Sequence, residues 1–170
     1  VVFGASGGVM EAALRTLVEV VDGKVLDKLE FNLVRGMEGI KESSYKIKGR
    51  DINVAVVSGL SNARKLLEKV KTQELKYHFI EIMACPGGCI NGGGQPIVSA
   101  DISNYIDVKK ERAKSLYDED NSLPNRRAHK NETIAMLYKN FLGNPGSSLA
   151  HKILHTSYKK VEKYKWFNRS

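Results

Sequence analysis

Two thiols four residues apart, Cys85 and Cys89, are the only cysteines in the chain. They lie in the run Glu81-Ile82-Met83-Ala84-Cys85-Pro86-Gly87-Gly88-Cys89-Ile90-Asn91-Gly92-Gly93-Gly94-Gln95-Pro96. Thiolate is the ligand that iron–sulfur clusters take from proteins. A C-x3-C spacing lets two sulfurs reach one metal centre from a turn or a first helical turn. Five glycines surround the pair. Glycine lets a backbone approach a bulky inorganic body closely and adopt positive φ. Its N–H groups can donate to sulfide or other anionic ligands. Two cysteines do not make a disulfide scaffold, and on such a loop they suit metal ligation or redox chemistry in a reducing or anaerobic compartment. The bland alternative is two ordinary thiols on a flexible loop, and the glycine-rich setting weighs against it. Zinc is a weaker competitor, because it needs four ligands and His78, His129, His151 and His155 lack the usual finger spacing.

Other residues invite chemistry of their own. Gly4-Ala5-Ser6-Gly7-Gly8 precedes a helical pattern, and such a turn can cradle a phosphate. The G-x-G-x-x-G order and the Gly-Lys-Ser/Thr ending are both missing, which argues against a nucleotide site. The same free N–H groups would serve an anionic iron cluster. Glu81 is either a proton relay beside a metal site or a structural carboxylate that holds the loop, and the structural role is favoured. His151 and His155 stand at i, i+4, a spacing that can bind a metal but more often marks packing histidines on an apolar helix. Arg112, Asp120, Arg127 and His129 are expected to form a buried polar network.

The stretch from Glu81 to Pro96 resembles the last cluster-binding signature of the iron-iron hydrogenases, close to E-x-M-x-C-x-x-G-C-x-x-G-G-G-Q-P, with every fixed position present. The opening Phe3-Gly4-Ala5-Ser6-Gly7-Gly8-Val9-Met10-Glu11-Ala12-Ala13 is similar to that family's segment. So are Arg112-x3-Leu116-Tyr117-x-x-Asp120, Arg127-x-His129-x-Asn131, Leu137-Tyr138, Phe141-Leu142-Gly143, Ala150-His151 and Leu154-His155-Thr156-x-Tyr158. The chain departs from the family at His129-Lys130-Asn131-Glu132, where His-Glu-Asn-Pro is common. The two earlier cysteine signatures of the family are also absent from these 170 residues.

The resemblance implies an active site, the H-cluster, in which a 4Fe–4S cubane is joined to a two-iron subcluster. Cys85 would ligate the cubane, and Cys89 would be the thiolate shared by both parts. Met83 would bring its thioether to the two-iron unit, with Phe3, Val9 and Gly4 around the same pocket. Plain core packing is the alternative for Met83, Phe3 and Val9. The resemblance further implies reversible reduction of protons to H2, with Cys89 and Met83 at the catalytic centre. It also implies electrons from a ferredoxin or another acidic carrier, a single-chain cytoplasmic enzyme, and a piece inactive without the upstream remainder of the protein. A non-catalytic hydrogenase-like protein of cluster assembly or sensing is the rival reading.

Several elements must position these residues. Val1–Phe3 reads as a strand, and Val9–Val21 carries helical spacing that Asp22-Gly23 stops. Leu29–Val34 reads as a strand, and Ser43–Lys48 with Ile52–Val57 as a hairpin. Ser61 is placed to cap a helix running to about Val70. Tyr77–Met83 is a short apolar strand that delivers the cysteine loop, at the strand end where open α/β sheets place ligands. Helices are expected over about Ile102–Tyr117, Glu132–Leu142 and Ser148–His155. The fold class is thus α/β, a small mixed sheet flanked by helices with a helical C-terminal part, one lobe of a catalytic domain over 1–158 and a basic tail over 159–170.

Hydrophobic content of 42% and charged content of 27% suit a globular protein. No apolar run approaches the roughly 20 residues of a membrane span, and no signal peptide is visible. The opening on Val1 rather than Met leads to the expectation of a fragment. The net charge of +8 is concentrated late, at Lys152, Lys159, Lys160, Lys163, Lys165 and Arg169. Such a tail is either solvated or docks an acidic partner. No stacking-aromatic module or basic zipper is present, which speaks against nucleic acid.

Overall fold

The computed structural model of the chain describes residues 1–26 and 28–159. The chain divides into two compact units, Val1–Ala128 and a second beginning at His129. The expected α/β class holds in the first unit, and the described part of the second is helical. Apart from Lys159, the basic tail lies outside the described residues.

The first unit is built on a three-stranded sheet in the order β1 (Ile40–Ile47), β2 (Arg50–Ser58), β3 (Phe79–Met83). β1 and β2 pair antiparallel from Ile40↔Val57 to Ile47↔Arg50. Their two-residue turn, Lys48-Gly49, has φ of 48° and 75°. Positive φ at both central residues matches the twist of a tight hairpin. The turn comes one residue earlier than the sequence suggests, and β1 starts earlier too. β2 and β3 are parallel, from Val54↔Phe79 to Ser58↔Met83, so a crossover must join them.

β2 reads Val54-Ala55-Val56-Val57-Ser58, buried at every position. Period-two alternation splits these residues between two cores. Val54 and Val56 join Met10, Leu14, Val18, Val34 and Ile47 on one face. Ala55 and Val57 join Ala63 and Leu66 on the other. The first face is covered by α1 (Gly8–Leu17), which continues as a π-helical turn over Val18–Asp22. The second is covered by α2 (Leu60–Lys71), the crossover helix. Gly59 is its N-cap, not Ser61, because the chain leaves β2 at Gly59 with φ 87° and the helix begins at once.

Three expected elements differ. Val2–Gly4 is a 3-10 turn and not a strand. It folds back so that Ala5 N donates to Val2 O at 3.1 Å and Gly8 N to Ala5 O at 3.0 Å. Leu29–Val34 is irregular with a 3-10 turn at Asn32–Val34. Arg15 Nε takes the Leu29 carbonyl at 2.8 Å, a bond that a strand ladder would otherwise use. The helix expected over Ile102–Tyr117 is two, α3 (Ala100–Ser103) and α4 (Val108–Ser122). Asp107 caps the second by accepting from Lys110 N at 3.2 Å.

In the second unit, α5 (Glu132–Leu137) is capped by Asn131 and runs into a π-helical turn at Tyr138–Leu142. α6 (Ser148–Leu154) is capped by Ser147. His151 and His155 are exposed, with their Nδ1 atoms 3.3 Å apart, so they do not pack into a core. No helix among the described residues is long and apolar enough to cross a membrane.

Candidate active site

The cysteine loop leaves the C-terminal end of β3. Met83, its last residue, sits in register with Ser58, and its carbonyl accepts from Gly59 N at 2.8 Å. Two tight turns follow. Gly88 N donates to Cys85 O at 2.9 Å, closing the first. Cys89–Asn91 then forms a 3-10 turn, and Gly92 N donates to Cys89 O at 2.9 Å. The two thiols therefore stand on consecutive turns, Cys85 partly buried and Cys89 exposed. A Cβ added to Gly92 would lie 3.9 Å from Cys85 Sγ and 3.2 Å from Cys89 O.

The loop is clipped to the opening turn of the chain. Ala5 and Gly88 form an isolated antiparallel bridge, and Ser6 N donates to Gly87 O at 3.0 Å. Gly88 has φ 101°, and a Cβ there would come within 2.6 Å of Ser6 N and 2.7 Å of Gly4 O. Only glycine combines that φ with so close an approach. α4 supports the loop from outside. Ala113 joins Ala5 and Ile90 in a small buried cluster. Arg112 donates Nη1 to Ile90 O at 3.0 Å and Nη2 to Pro96 O at 2.6 Å, bracketing the Gly92-Gly93-Gly94 run.

Glu81 supplies what α1 lacks. The N-cap of α1 is Gly7, which has no side chain to accept from the free amides. The buried Glu81 carboxylate takes them instead: Gly7 N donates to Oε1 at 2.6 Å and Met10 N to Oε2 at 2.7 Å. Negative charge at a helix N-terminus is favourable, by up to about 2 kcal/mol when partly buried. The structural role expected for Glu81 is thus the one its contacts show.

Of the residues expected to form one network, Arg112, Asp120 and Arg127 serve three different partners. Arg112 holds the loop, and Arg127 Nε pairs with Glu19 Oε1 at 2.5 Å. Asp120 belongs to a different cluster centred on Arg15, whose guanidinium meets Glu11 Oε1 at 2.6 Å and Asp120 Oδ2 at 2.8 Å. Arg35 reaches Glu11 Oε2 at 2.6 Å, and Arg126 bridges Asp120 and Glu30 at 2.9 and 2.6 Å. Burial opposes ionisation of Asp120, but hydrogen bonds from Arg15 and Arg126 outweigh it and hold the carboxyl below its ordinary range. Arg15 was not singled out in the sequence and Glu11 appeared there only within the opening segment, because charged residues on a helical pattern ordinarily face water.

Phe3 and Val9 are half-exposed and line one apolar groove of about 460 Å³ with Ala12, Ala13 and Leu17. Cys85, Cys89 and Met83 are not among its lining residues. Gly4 lies at the cysteine loop, where an added Cβ would meet Leu116 Cδ1 at 2.9 Å and Ile90 Cγ2 at 3.8 Å. Lys41 is a further residue of this region that the sequence did not single out. It is buried on β1, and Nζ donates to Ser6 O at 3.0 Å and Gly36 O at 2.8 Å. Among the described residues no group of three or more His, Cys, Asp or Glu side chains converges as a metal site.

Two soft thiols on consecutive turns of a glycine-rich backbone fit an iron–sulfur group. Comparison with known proteins agrees. The family model described as iron only hydrogenase large subunit, C-terminal domain, matches residues 1–93. The model described as iron hydrogenase small subunit matches residues 106–161 of the same chain. Iron hydrogenase 1 of Clostridium pasteurianum is 46% identical over 159 residues, 94% of this chain and 28% of its own length. The cytosolic Fe-S cluster assembly factor narfl of Xenopus tropicalis is 32% identical over 94% of this chain and 32% of its own. A solved FeFe-hydrogenase of Chlamydomonas reinhardtii superposes with a TM-score of 0.70 at 38% identity, covering 93% of this chain and 46% of that one. The chain spans under half the length of each of these relatives. It belongs to the iron-only hydrogenase family, as the C-terminal part of the large subunit.

Proposed function

We propose that this chain supplies one part of the active site of an iron-only hydrogenase that interconverts protons, electrons and H2. The observation that carries this reading is the placement of Cys85 and Cys89 on consecutive turns, clipped at Gly88 to the opening turn of the chain. When bound, the H-cluster, a 4Fe–4S cubane joined to a two-iron subcluster, supplies the electron transfer and the metal chemistry on H2. Cys85 and Cys89 would be its thiolate ligands, Cys89 the one shared by the two parts. Met83 offers its thioether from the end of β3, and Gly4 leaves room at the loop. Phe3 and Val9 would line the cofactor pocket from the apolar groove beside the opening turn. Glu81 serves as the structural carboxylate of the site, its two oxygens accepting from the main-chain amides of Gly7 and Met10.

Two thiolates do not complete a four-cysteine cubane, so the remaining ligands come from the rest of a longer protein and this chain alone is inactive. A ferredoxin or similar acidic carrier is the electron donor in this reading, attracted by the net charge of +8. The two subunit models matching one continuous chain support a single-chain form, and a cytoplasmic location goes with that reading.

A second reading, a cluster-assembly protein of the same fold, is favoured by relatives such as the Xenopus assembly factor, which at 32% identity is less similar than the clostridial hydrogenase at 46%. Full-length protein, purified and loaded anaerobically, separates the two. Hydrogen evolution with a reduced low-potential donor, abolished by Cys89→Ser, supports the hydrogenase. A stable iron–sulfur signal without any hydrogen evolution supports the assembly protein.

A further inference from the structure

The inward-facing positions of β1 are Lys41, Ser43, Tyr45 and Ile47, on the face that packs against α1. Lys41 lies opposite Val56, one of the core valines of that face. A lysine at such a position would ordinarily reach for solvent, yet it is 6% exposed. Its ammonium instead sits under the glycine turn. It donates to Ser6 O and Gly36 O, and a Cβ on Gly7 would lie 3.6 Å from Nζ. Ser6 is therefore held twice, through its carbonyl by Lys41 and through its N–H by Gly87 of the cysteine loop. Glu81 holds the next residue, Gly7, with the opposite charge. Burial drags the Lys41 pKa down to about 8, against the pull of Glu81 and Glu38.

We infer that Lys41 is a positioning residue for the thiolate loop, and that Lys41 and Glu81, two buried opposite charges holding the adjacent residues Ser6 and Gly7, together set the electrostatic potential felt by the iron–sulfur group bound there. This rests on the reading above. Charges in a low-dielectric surrounding act at longer range than in water, and net charge near a cluster is one of the factors that set its reduction potential. Removing the cation favours the oxidised group; removing the anion favours the reduced one.

The test uses full-length protein, loaded anaerobically, with iron content, thermal midpoint and an electron paramagnetic resonance redox titration as readouts. Lys41→Met is expected to keep its iron and to shift the midpoint potential negative. Lys41→Arg restores it toward the wild type. Glu81→Gln, which retains an amide acceptor, shifts it positive. A purely structural role would change the thermal midpoint and leave the potential in place, and that result overturns the inference. If Lys41→Met does not fold, Glu81→Gln decides alone: a positive shift supports the inference and an unmoved potential overturns it. Wild-type protein that takes up no iron–sulfur group would instead sink the underlying hydrogenase reading, and the inference with it.

Discussion

Asp120 on α4 brings both carboxylate oxygens to the guanidinium of Arg15 on α1, at 3.2 and 2.8 Å. Both residues are nearly inaccessible to solvent. Around them stand three guanidiniums, of Arg15, Arg35 and Arg126, and three carboxylates, of Glu11, Glu30 and Asp120. This balance of charge is what makes the cluster tolerable inside the unit. Breaking one buried pair leaves an uncompensated charge and costs about 3–5 kcal/mol. Asp120→Asn is therefore expected to lower the unfolding free energy of the chain by about that much, measured in urea. A loss below about 1 kcal/mol would show the cluster to be more solvated than its geometry implies.

The same cluster fixes an acid limit. Hydrogen bonds from Arg126 to Glu30, and from Arg15 and Arg126 to Asp120, hold both carboxyls below their ordinary values of 4.5 and 3.8. A depressed carboxyl contributes stability that is present above its unfolded pKa and lost as pH falls through the folded one. The thermal midpoint should hold down to about pH 5 and fall steeply below about pH 4. In Asp120→Asn the fall should be shallower; equal slopes in the two proteins would contradict the assignment.

Lys41 makes stability rise with pH in a second, alkaline window. Its folded pKa is about 8, below the 10.5 of an unperturbed lysine. Between these values the unfolded chain binds more protons than the folded one, so stability rises with pH. Wild-type protein should gain on Lys41→Met as pH is raised from about 8 to about 10. Parallel curves for the two proteins over that range would mean that the ammonium is freely solvated.

Gly88→Ala should separate the loop from the fold. A side chain at φ 101° is strained, and its Cβ would press on Ser6 N at 2.6 Å. The cost is expected to exceed about 1 kcal/mol. The loop must pull away from Ala5, so iron retention in full-length protein should fall more than the thermal midpoint does. Normal iron content in this variant would show that the clip at Gly88 is dispensable.

Arg112 acts from the other side. Its planar fork spans two carbonyls, of Ile90 and Pro96, which a lysine cannot do with one ammonium. Arg112→Lys should leave the fold intact while speeding amide hydrogen exchange at Gly92, Gly93 and Gly94. Unchanged exchange at these three glycines would rule out the bracketing role.

Much of this arrangement was legible in the sequence, and the gaps have physical causes. The hairpin, α1, α2 and the strand leading to Cys85 follow from period-two and helical spacing, because their burial is one-sided or complete. The break between α3 and α4 was also written there, in Asp107, but an apolar pattern on both sides masked it. Val2–Gly4 has strand-forming side chains, yet the contact of Gly8 with Val2 O overrides local preference. Of the candidate site residues, Cys85, Cys89 and Gly4 could be placed on one loop system from their motifs. The buried charges could not. Lys41, Glu11 and Arg15 are residue types that normally face water, and only tertiary partners far along the chain make their burial affordable.

The bridge between Ala5 and Gly88 has a wider consequence. It is one residue long, and it welds the start of the chain to a loop that local sequence alone would leave adrift. Whatever grips the thiols must also brace the opening turn and, through Gly7 and Met10, the first helix. Cofactor loading and folding of this lobe are thereby thermodynamically linked: tight binding at the sulfurs should be felt as rigidity in α1, and fraying at residue 5 should be felt as weakened grip at the metal.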